Sequence, residues 1–149
     1  MIINSGQPRS YHKAFLHPGE ERFFSPGSQK SCVINVKGVN IGVAVCADIH
    51  HASHAEEAAK QGVSVYAAGV LIMNDYTKAT KRMQQYAIEH SMMTLMANHA
   101  SPTGSYIPVG KSAIWNNSGK LLAVADETEY SLVMAMKHQA EWIGKTIKL

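Results

Sequence analysis

The hydrophobic pattern divides the chain into runs of two different periods. The first 30 residues hold Pro8, Pro18, Pro26, Gly6, Gly19 and Gly27 and read as loop, with one short apolar patch at Phe23-Phe24. Two β-rich runs follow, residues 32–36 and 39–45, around Lys37-Gly38, and predict a hairpin. The end of the second run is nearly all apolar, as suits a strand covered on both faces. After Cys46 the period changes. Ser53-His54-Ala55-Glu56 has the capping-box pattern, which predicts a helix with Ser53 as N-cap and a small-residue face of Ala55, Ala58 and Ala59. Gly62 ends it as the C′ residue.

Residues 63–70 read as the next strand. Asp75 is placed to cap a second helix running to about Ser91, with Tyr76, Ala79, Met83, Tyr86 and Ala87 at helical spacing. A short strand over 94–97 ends in Asn98, and residues 99–110 form a loop. Strands are expected at 112–116, 121–125 and 132–136, with Asn117-Ser118-Gly119 turning between the first two. Asp126, Glu127 and Glu129 read as a turn, and the tail 138–149 shows no clear period. The order β-β-α-β-α-β-β-β-β predicts an α/β chain whose strands share one sheet. Trp115 and the methionines at 83, 92, 93, 96, 134 and 136 are expected in the core.

Composition narrows the function classes. With 46% apolar and 17% charged residues over 149 positions, the chain is neither disordered nor collagen-like. Lys+Arg 14 against Asp+Glu 11 gives +3, scattered without a stripe, so no nucleic-acid partner is expected. No apolar run reaches the length of a membrane span, and the start lacks the basic and apolar regions of a secretory signal. Two cysteines are few for a secreted scaffold of this size, so a cytoplasmic setting with reduced thiols is expected.

Cys46 lies where an apolar strand gives way to a helix. Such a turn exposes a side chain and aims amides at developing negative charge. A free thiol has a pKa of about 8.5 and needs a cation or base to ionise near neutrality. The local context also fits a buried structural cysteine. His50, His51 and His54 cluster beside it, but no acidic or cysteine ligand completes a metal set, so no metal is expected. His50 or His51 pairing with the thiol is a further option. Asn98 ends a strand at the sheet edge where α/β proteins bind ligands, which suits either a substrate-facing or a turn residue. Tyr106 fits a pocket wall or the core.

Upstream, Tyr11-His12-Lys13-Ala14-Phe15-Leu16 is followed by Glu20 and Glu21, then Phe23-Phe24-Ser25-Pro26-Gly27. Later come Gly38-Val39-Asn40-Ile41-Gly42-Val43-Ala44-Val45-Cys46-Ala47-Asp48, Met96-Ala97-Asn98-His99, Gly110-Lys111-Ser112 and Ser118-Gly119-Lys120-Leu121-Leu122-Ala123. In order and spacing, over about residues 9–136, the chain resembles the carbon–nitrogen hydrolase (nitrilase) superfamily. The resemblance implies a four-layer α-β-β-α sandwich of which residues 1–149 are a part, corresponding to the C-terminal half. It implies a Glu-Lys-Cys site. Cys46 attacks the carbonyl or nitrile carbon of a small substrate and forms a thioester, and water then releases the acid. Lys13 sits near the forming oxyanion and favours the thiolate, and the Ala47 N–H is a second oxyanion donor, each such donor being worth about 3 kcal/mol. Glu20 maps onto the glutamate that positions the lysine, with Glu21 one residue away. No cofactor is implied.

The family's general-base glutamate belongs to an N-terminal half that these residues do not contain. The expectation is therefore of a chain that needs a second polypeptide, or of a fragment, with self-association as a substitute cover for exposed apolar sheet. The expected partners are a small amide or nitrile and either a complementing N-terminal half or further copies of the chain, with the 138–149 tail a candidate contact. Three readings stay open: an amidase-like hydrolase, a catalytically incomplete remnant or interaction module, and a small Cys-His thiol enzyme.

Overall fold

The computed structural model describes residues 2–4, 7–127 and 130–149. Glu129, expected in a turn, lies outside the described residues. The first departure from expectation comes at once: the N-terminal stretch is not all loop. β1 (Ile2–Asn4) and β2 (Gln7–Arg9) pair antiparallel. Three-residue strands are too short to show an alternating period in the sequence.

β3 (Cys32–Val36) and β4 (Val39–Val45) form the expected antiparallel hairpin, with Val36 opposite Val39. Its two-residue loop, Lys37 (φ 50) and Gly38 (φ 84), has both central residues left-handed, the conformation whose twist matches paired strands. From β4 the chain passes through α1 (Ala52–Lys60) to β5 (Val65–Val70), and through α2 (Tyr76–His90) to β6 (Met93–Asn98). β4, β5 and β6 are mutually parallel. β7 (Ala113–Trp115) and β8 (Leu121–Val124) extend the sheet antiparallel, giving the order β3-β4-β5-β6-β7-β8. The observed architecture is a mixed α/β fold on a six-stranded sheet. Among the described residues no helix is long and apolar enough to cross a membrane.

The core lies between the helices and one face of this sheet. Alternate strand residues Ala44, Tyr66, Ala68, Met96, Ala113 and Trp115 are buried against Ala55, Ala58, Ala79, Met83 and Ala87 of the helices. At Gly42 a Cβ would lie 3.2 Å from Val63 and 3.3 Å from Ala58, so the absence of a side chain lets the end of α1 settle close to β4. The α1 end is a Schellman turn: Gly62 N–H donates to Ala59 O and Val63 N–H to Ala58 O. On the opposite sheet face Ile41, Val43, Val65, Ala67 and Leu95 are half-buried and Val45 is exposed. The expectation that β4 is covered on both faces is corrected: the described chain covers one.

The expected caps differ in detail. The N-cap of α1 is His51, not Ser53, and its carbonyl accepts from His54 N–H at 3.0 Å. The chain enters α1 directly from a preceding turn, which places Ser53 one residue inside the helix. Glu56 does not reach back to a cap but pairs with Lys60 at 2.8 Å. Asp75 holds the N-cap position of α2 without a side-chain cap bond.

Two further expectations are corrected at the C-terminus. β9 (Ser131–His138) does not join the main sheet; it pairs with β10 (Glu141–Lys148) in a separate antiparallel ribbon. The tail read as irregular is thus a strand. Its turn carries Gln139 at φ 54, a left-handed residue without the Gly or Asn that signals such a turn. The ribbon lies against β8: Thr146 Oγ1 donates to Val124 O at 2.9 Å, and at Gly144 an added Cβ would fall 2.0 Å from Leu122 O. Trp115, Met83, Met92, Met93 and Met96 are buried, whereas Met136 on the ribbon is 51% exposed and not core.

Candidate active site

β4 ends at Val45, and the next residue, Cys46, turns the chain sharply. Its φ is 47, in the left-handed region that costs a non-glycine residue about 1–3 kcal/mol. It opens a 3₁₀ turn, Cys46–His50, that leads into α1. Three side chains, one from the turn itself and two from α2, hold this turn. Asp48, wholly buried, accepts from Val45 N–H through Oδ2 at 2.9 Å, closing the turn on itself. Tyr86 of α2 donates its hydroxyl to Ile49 O at 3.0 Å. Arg82, also of α2, donates to His50 O at 2.8 Å and to His50 Nδ1 at 3.1 Å.

The same Asp48 carboxylate captures the segment that carries Lys13. Oδ1 accepts from Ala14 N–H and Phe15 N–H, each at 3.0 Å, and Oδ2 accepts from the Tyr11 hydroxyl at 2.8 Å. Four donors therefore converge on one buried carboxylate, and they tie the loop before the hairpin to the turn after it. Behind Asp48 lies a second line of contacts. His54 Nε2 is 2.8 Å from Tyr11 Oη and His54 Nδ1 is 2.8 Å from Tyr66 Oη. With Tyr11 donating to Asp48, a neutral His54 satisfies both contacts if Nε2–H donates to Tyr11 and Tyr66 donates to Nδ1. Burial lowers the His54 pKa, which favours that neutral ring, and burial raises both tyrosine pKa values.

Lys13 is drawn in with its segment. Its Nζ lies 2.6 Å from Glu20 Oε2, an oxygen that also accepts His17 N–H at 2.8 Å. The Lys13 hydrogen bond, followed by the His17 amide, holds the Glu20 carboxyl below the usual carboxylate range. Of the two adjacent acids, Glu20 is thus the one bonded to Lys13, while Glu21 accepts from Gly19 N–H at 2.6 Å. The loop closes through Gly27 N–H on Lys13 O at 2.8 Å, and an added Cβ on Gly27 would lie 2.3 Å from His12 O.

The group at hydrogen-bond distance from the sulfur is not the expected ammonium but His17, whose Nε2 lies 3.1 Å from Cys46 Sγ. As a partner of the thiol the sequence suggests His50 or His51, not His17, which stands 29 positions away. The signal for His17 was its place between Lys13 and Glu20: a segment that brings those two residues to the thiol brings His17 too. His50 sits edge-to-face with His17, ring centroids 5.7 Å apart, and His51 stacks on Phe15 at 3.8 Å. The clustered histidines therefore face different partners, and no potential metal-ligand group of three or more forms among the described residues.

His17, Glu20, Cys46, His50, Ile72 and Tyr106 line a cleft of about 660 Å³, whereas Lys13 is not among its lining residues. Cys46 is half-buried and its thiol free. Ala47, buried, follows it at the start of the turn, where an N–H has no earlier carbonyl of the turn to bond. For Asn98 the sequence suits either a substrate-facing or a turn residue, and the structure shows its amide on backbone. Its Oδ1 accepts Ile72 N–H at 2.8 Å and its Nδ2 donates to Gly110 O at 2.6 Å, so both ends of the amide hold backbone. It thereby holds Ile72, one of the residues that line the cleft.

The carbon-nitrogen hydrolase family pattern matches residues 2–142. A protein of Pyrococcus abyssi named nitrilase is 28% identical over 125 residues, which are 84% of this chain and 47% of that protein. Solved structures of an amidase of the nitrilase superfamily from Nesterenkonia AN1 superpose well. One gives a TM-score of 0.75 at 25% identity over 81% of this chain and 48% of the other. A second, showing acrylamide added to that amidase's active-site cysteine, gives 0.73 at 26% identity over 79% and 47%. A third, holding butyramide, gives 0.74 at 22% identity over 93% and 49%. The chain thus spans about half the length of these relatives. With the family pattern running nearly end to end, and a six-stranded α/β fold shared with these amidases, the chain belongs to the carbon-nitrogen hydrolase family.

Proposed function

We propose that this chain supplies the nucleophile side of a thiol amidohydrolase acting on small non-peptide amides. The observation that carries the reading is the carboxylate of Asp48: one buried group holds both the strained Cys46 turn and the segment that runs on from Lys13 to His17 and Glu20, which line the same cleft as Cys46. In this reading the Cys46 thiolate attacks the amide carbonyl carbon. The Ala47 N–H and the Lys13 ammonium stabilise the oxyanion. Glu20 positions the ammonium. The carbon–nitrogen bond breaks, the amine leaves with a proton, and water hydrolyses the thioester to the acid and regenerates the thiol. The acrylamide and butyramide seen in the Nesterenkonia amidase support an amide rather than a nitrile as substrate.

The half-length match favours a companion reading for the isolated chain: it is incomplete until a second half, or a second copy, covers the open sheet face and completes a four-layer sandwich. The general-base glutamate would come from that second half. Incubation of the chain with butyramide, with ammonia release followed by a coupled assay and acylation of Cys46 by mass spectrometry, tests both. Acylation lost in Cys46→Ser supports the hydrolase reading. Acylation without ammonia turnover supports the incomplete form. Neither signal, in a folded chain, overturns the assignment.

A further inference from the structure

We infer that His50 is a specificity-determining residue of the cleft: its Nε2–H donates to an uncharged oxygen on the tail of the substrate, and the cleft selects amides with a neutral, acceptor-bearing tail over those that carry a carboxylate. The inference deepens the hydrolase reading and rests on it for the identity of the ligand as an amide substrate. The observation behind it is an imidazole with one unspent donor, lining the same cleft as Cys46, where no lysine or arginine is found among the described lining residues.

Arg82 sets the donor. A guanidinium only donates hydrogen bonds, so its contact with His50 Nδ1 at 3.1 Å makes Nδ1 the acceptor and puts the ring proton on Nε2. Arg82 also donates to His50 O at 2.8 Å, so one side chain fixes both the backbone and the ring of His50. Burial first, and Arg82 second, lower the His50 pKa, which keeps the ring neutral at neutral pH. Among the described residues Nε2 has no hydrogen-bond partner, and no unpartnered side-chain nitrogen is sealed from solvent, so Nε2–H is open to a ligand. His17 measures the gap to the thiol: its Nε2 is 3.1 Å from Cys46 Sγ, and its ring centroid is 5.7 Å from that of His50. A substrate held at the sulfur reaches His50 with a tail of a few atoms.

The charges around the cleft favour a neutral tail. Phe23, Phe24, Ile72 and Tyr106 give it apolar wall, and two acids line it. Glu20 is paired with Lys13, while Asp75, exposed at the N-cap of α2, makes no side-chain cap bond. Arg82 is not among the lining residues, and its Nη1 is bonded to His50. A carboxylate tail gives up its hydration for one neutral donor and meets these acids, and an incompletely solvated charge is costly. A hydroxyl, ether or carbonyl oxygen gives up less and matches one N–H with one acceptor.

The test reads occupancy of the cleft and needs no turnover. Cys46 of the 149-residue chain is alkylated with iodoacetamide at neutral pH, with peptide-level mass spectrometry separating it from buried Cys32. Butyramide, 4-hydroxybutyramide, succinamate and the methyl ester of succinamate are titrated as protectants. The expected result is that 4-hydroxybutyramide protects at about one-fifth of the concentration that butyramide needs, the effect of one net hydrogen bond. Succinamate needs at least about tenfold more than butyramide, and its methyl ester, larger but uncharged, does not. His50→Phe brings the constants for butyramide and 4-hydroxybutyramide together, and His50→Gln, which carries an N–H donor at the ε position, reopens the gap. Equal protection by butyramide and 4-hydroxybutyramide, succinamate protecting as well as butyramide, an ester as weak as succinamate, or a gap that persists in His50→Phe each overturns the inference. If the variants do not fold, the order of the four protectants on the unaltered chain decides. Protection by amides in the wrong order overturns this inference alone, whereas no protection by any amide sinks the hydrolase reading and the inference with it.

Discussion

Asp48→Asn replaces one carboxylate oxygen by NH₂ and tests the frame on which the rest depends. The carboxylate is wholly buried and accepts four hydrogen bonds, two on each oxygen. An asparagine can keep one oxygen towards Ala14 and Phe15, but its NH₂ then faces Val45 N–H and the Tyr11 hydroxyl. Tyr11 can rotate to accept. Val45 N–H cannot, and a buried unsatisfied donor costs about 1–3 kcal/mol. The two bonds that remain lose their charge, and charge-assisted bonds are worth about 1.5–3 kcal/mol against about 1 for neutral ones. Against this stands the relief of leaving a carboxylate out of the interior. Because four donors already solvate the charge, the losses outweigh that relief, and the expected net cost is about 3 kcal/mol. For a domain of this size that is a fall in Tm of roughly 6–12 °C. Urea unfolding gives the stability, and hydrogen exchange at Ala14 and Phe15 locates the change, since those amides lose their acceptor charge. A variant of equal or greater stability, with unchanged exchange at both amides, refutes the argument that Asp48 joins the two segments.

Three shorter predictions follow from the same geometry. Cys46→Gly removes the left-handed strain, so it should raise stability by about 1 kcal/mol while Cys46→Val lowers it; equal unfolding midpoints for the two variants would show that the turn is unstrained. Gly144→Ala drives a methyl into the Leu122 carbonyl and should cost about 2–4 kcal/mol, with exchange rising along β9 and β10 before the main sheet; a neutral effect contradicts the close approach. His54 has its pKa lowered by burial, so the unfolded chain binds its proton first as pH falls below about 6.5, and stability should decline from there towards the folded midpoint. His54→Gln should flatten that slope in urea titrations at several pH values, and an unaltered slope assigns the effect elsewhere.

The elements that sequence reasoning could read were those whose local chemistry and tertiary role agree. Lys37-Gly38 demanded a two-residue turn and made one, Gly62 ended α1 as a left-handed residue, and Ala79, Met83, Tyr86 and Ala87 marked the buried face of α2. Cys46 was legible because an apolar strand met a change of period there. The pairing of Lys13 with Glu20 came from the family resemblance and not from local pattern, since a lysine and a glutamate in a proline-rich loop look like solvated surface. The failures share a cause. Ser53 offered a good cap, but the preceding 3₁₀ turn already supplied the His51 carbonyl. Gln139 adopts a turn conformation that its residue type does not announce. His17 and Asn98 take their roles from chain segments folded across one another, His17 on Cys46 and Asn98 on Ile72 and Gly110, and no window of sequence contains both partners.

The two sides of the cleft are restrained to different degrees, and this bears on how a ligand enters. The side bearing Cys46 is pinned by Asp48, Tyr86 and Arg82, and opening it would break buried polar contacts together. At the rim, Phe23, Phe24 and Tyr106 are 80%, 66% and 51% exposed and have little interior contact to lose. A ligand that widens the cleft therefore meets less packing at these aromatic side chains than at the turn that carries Cys46.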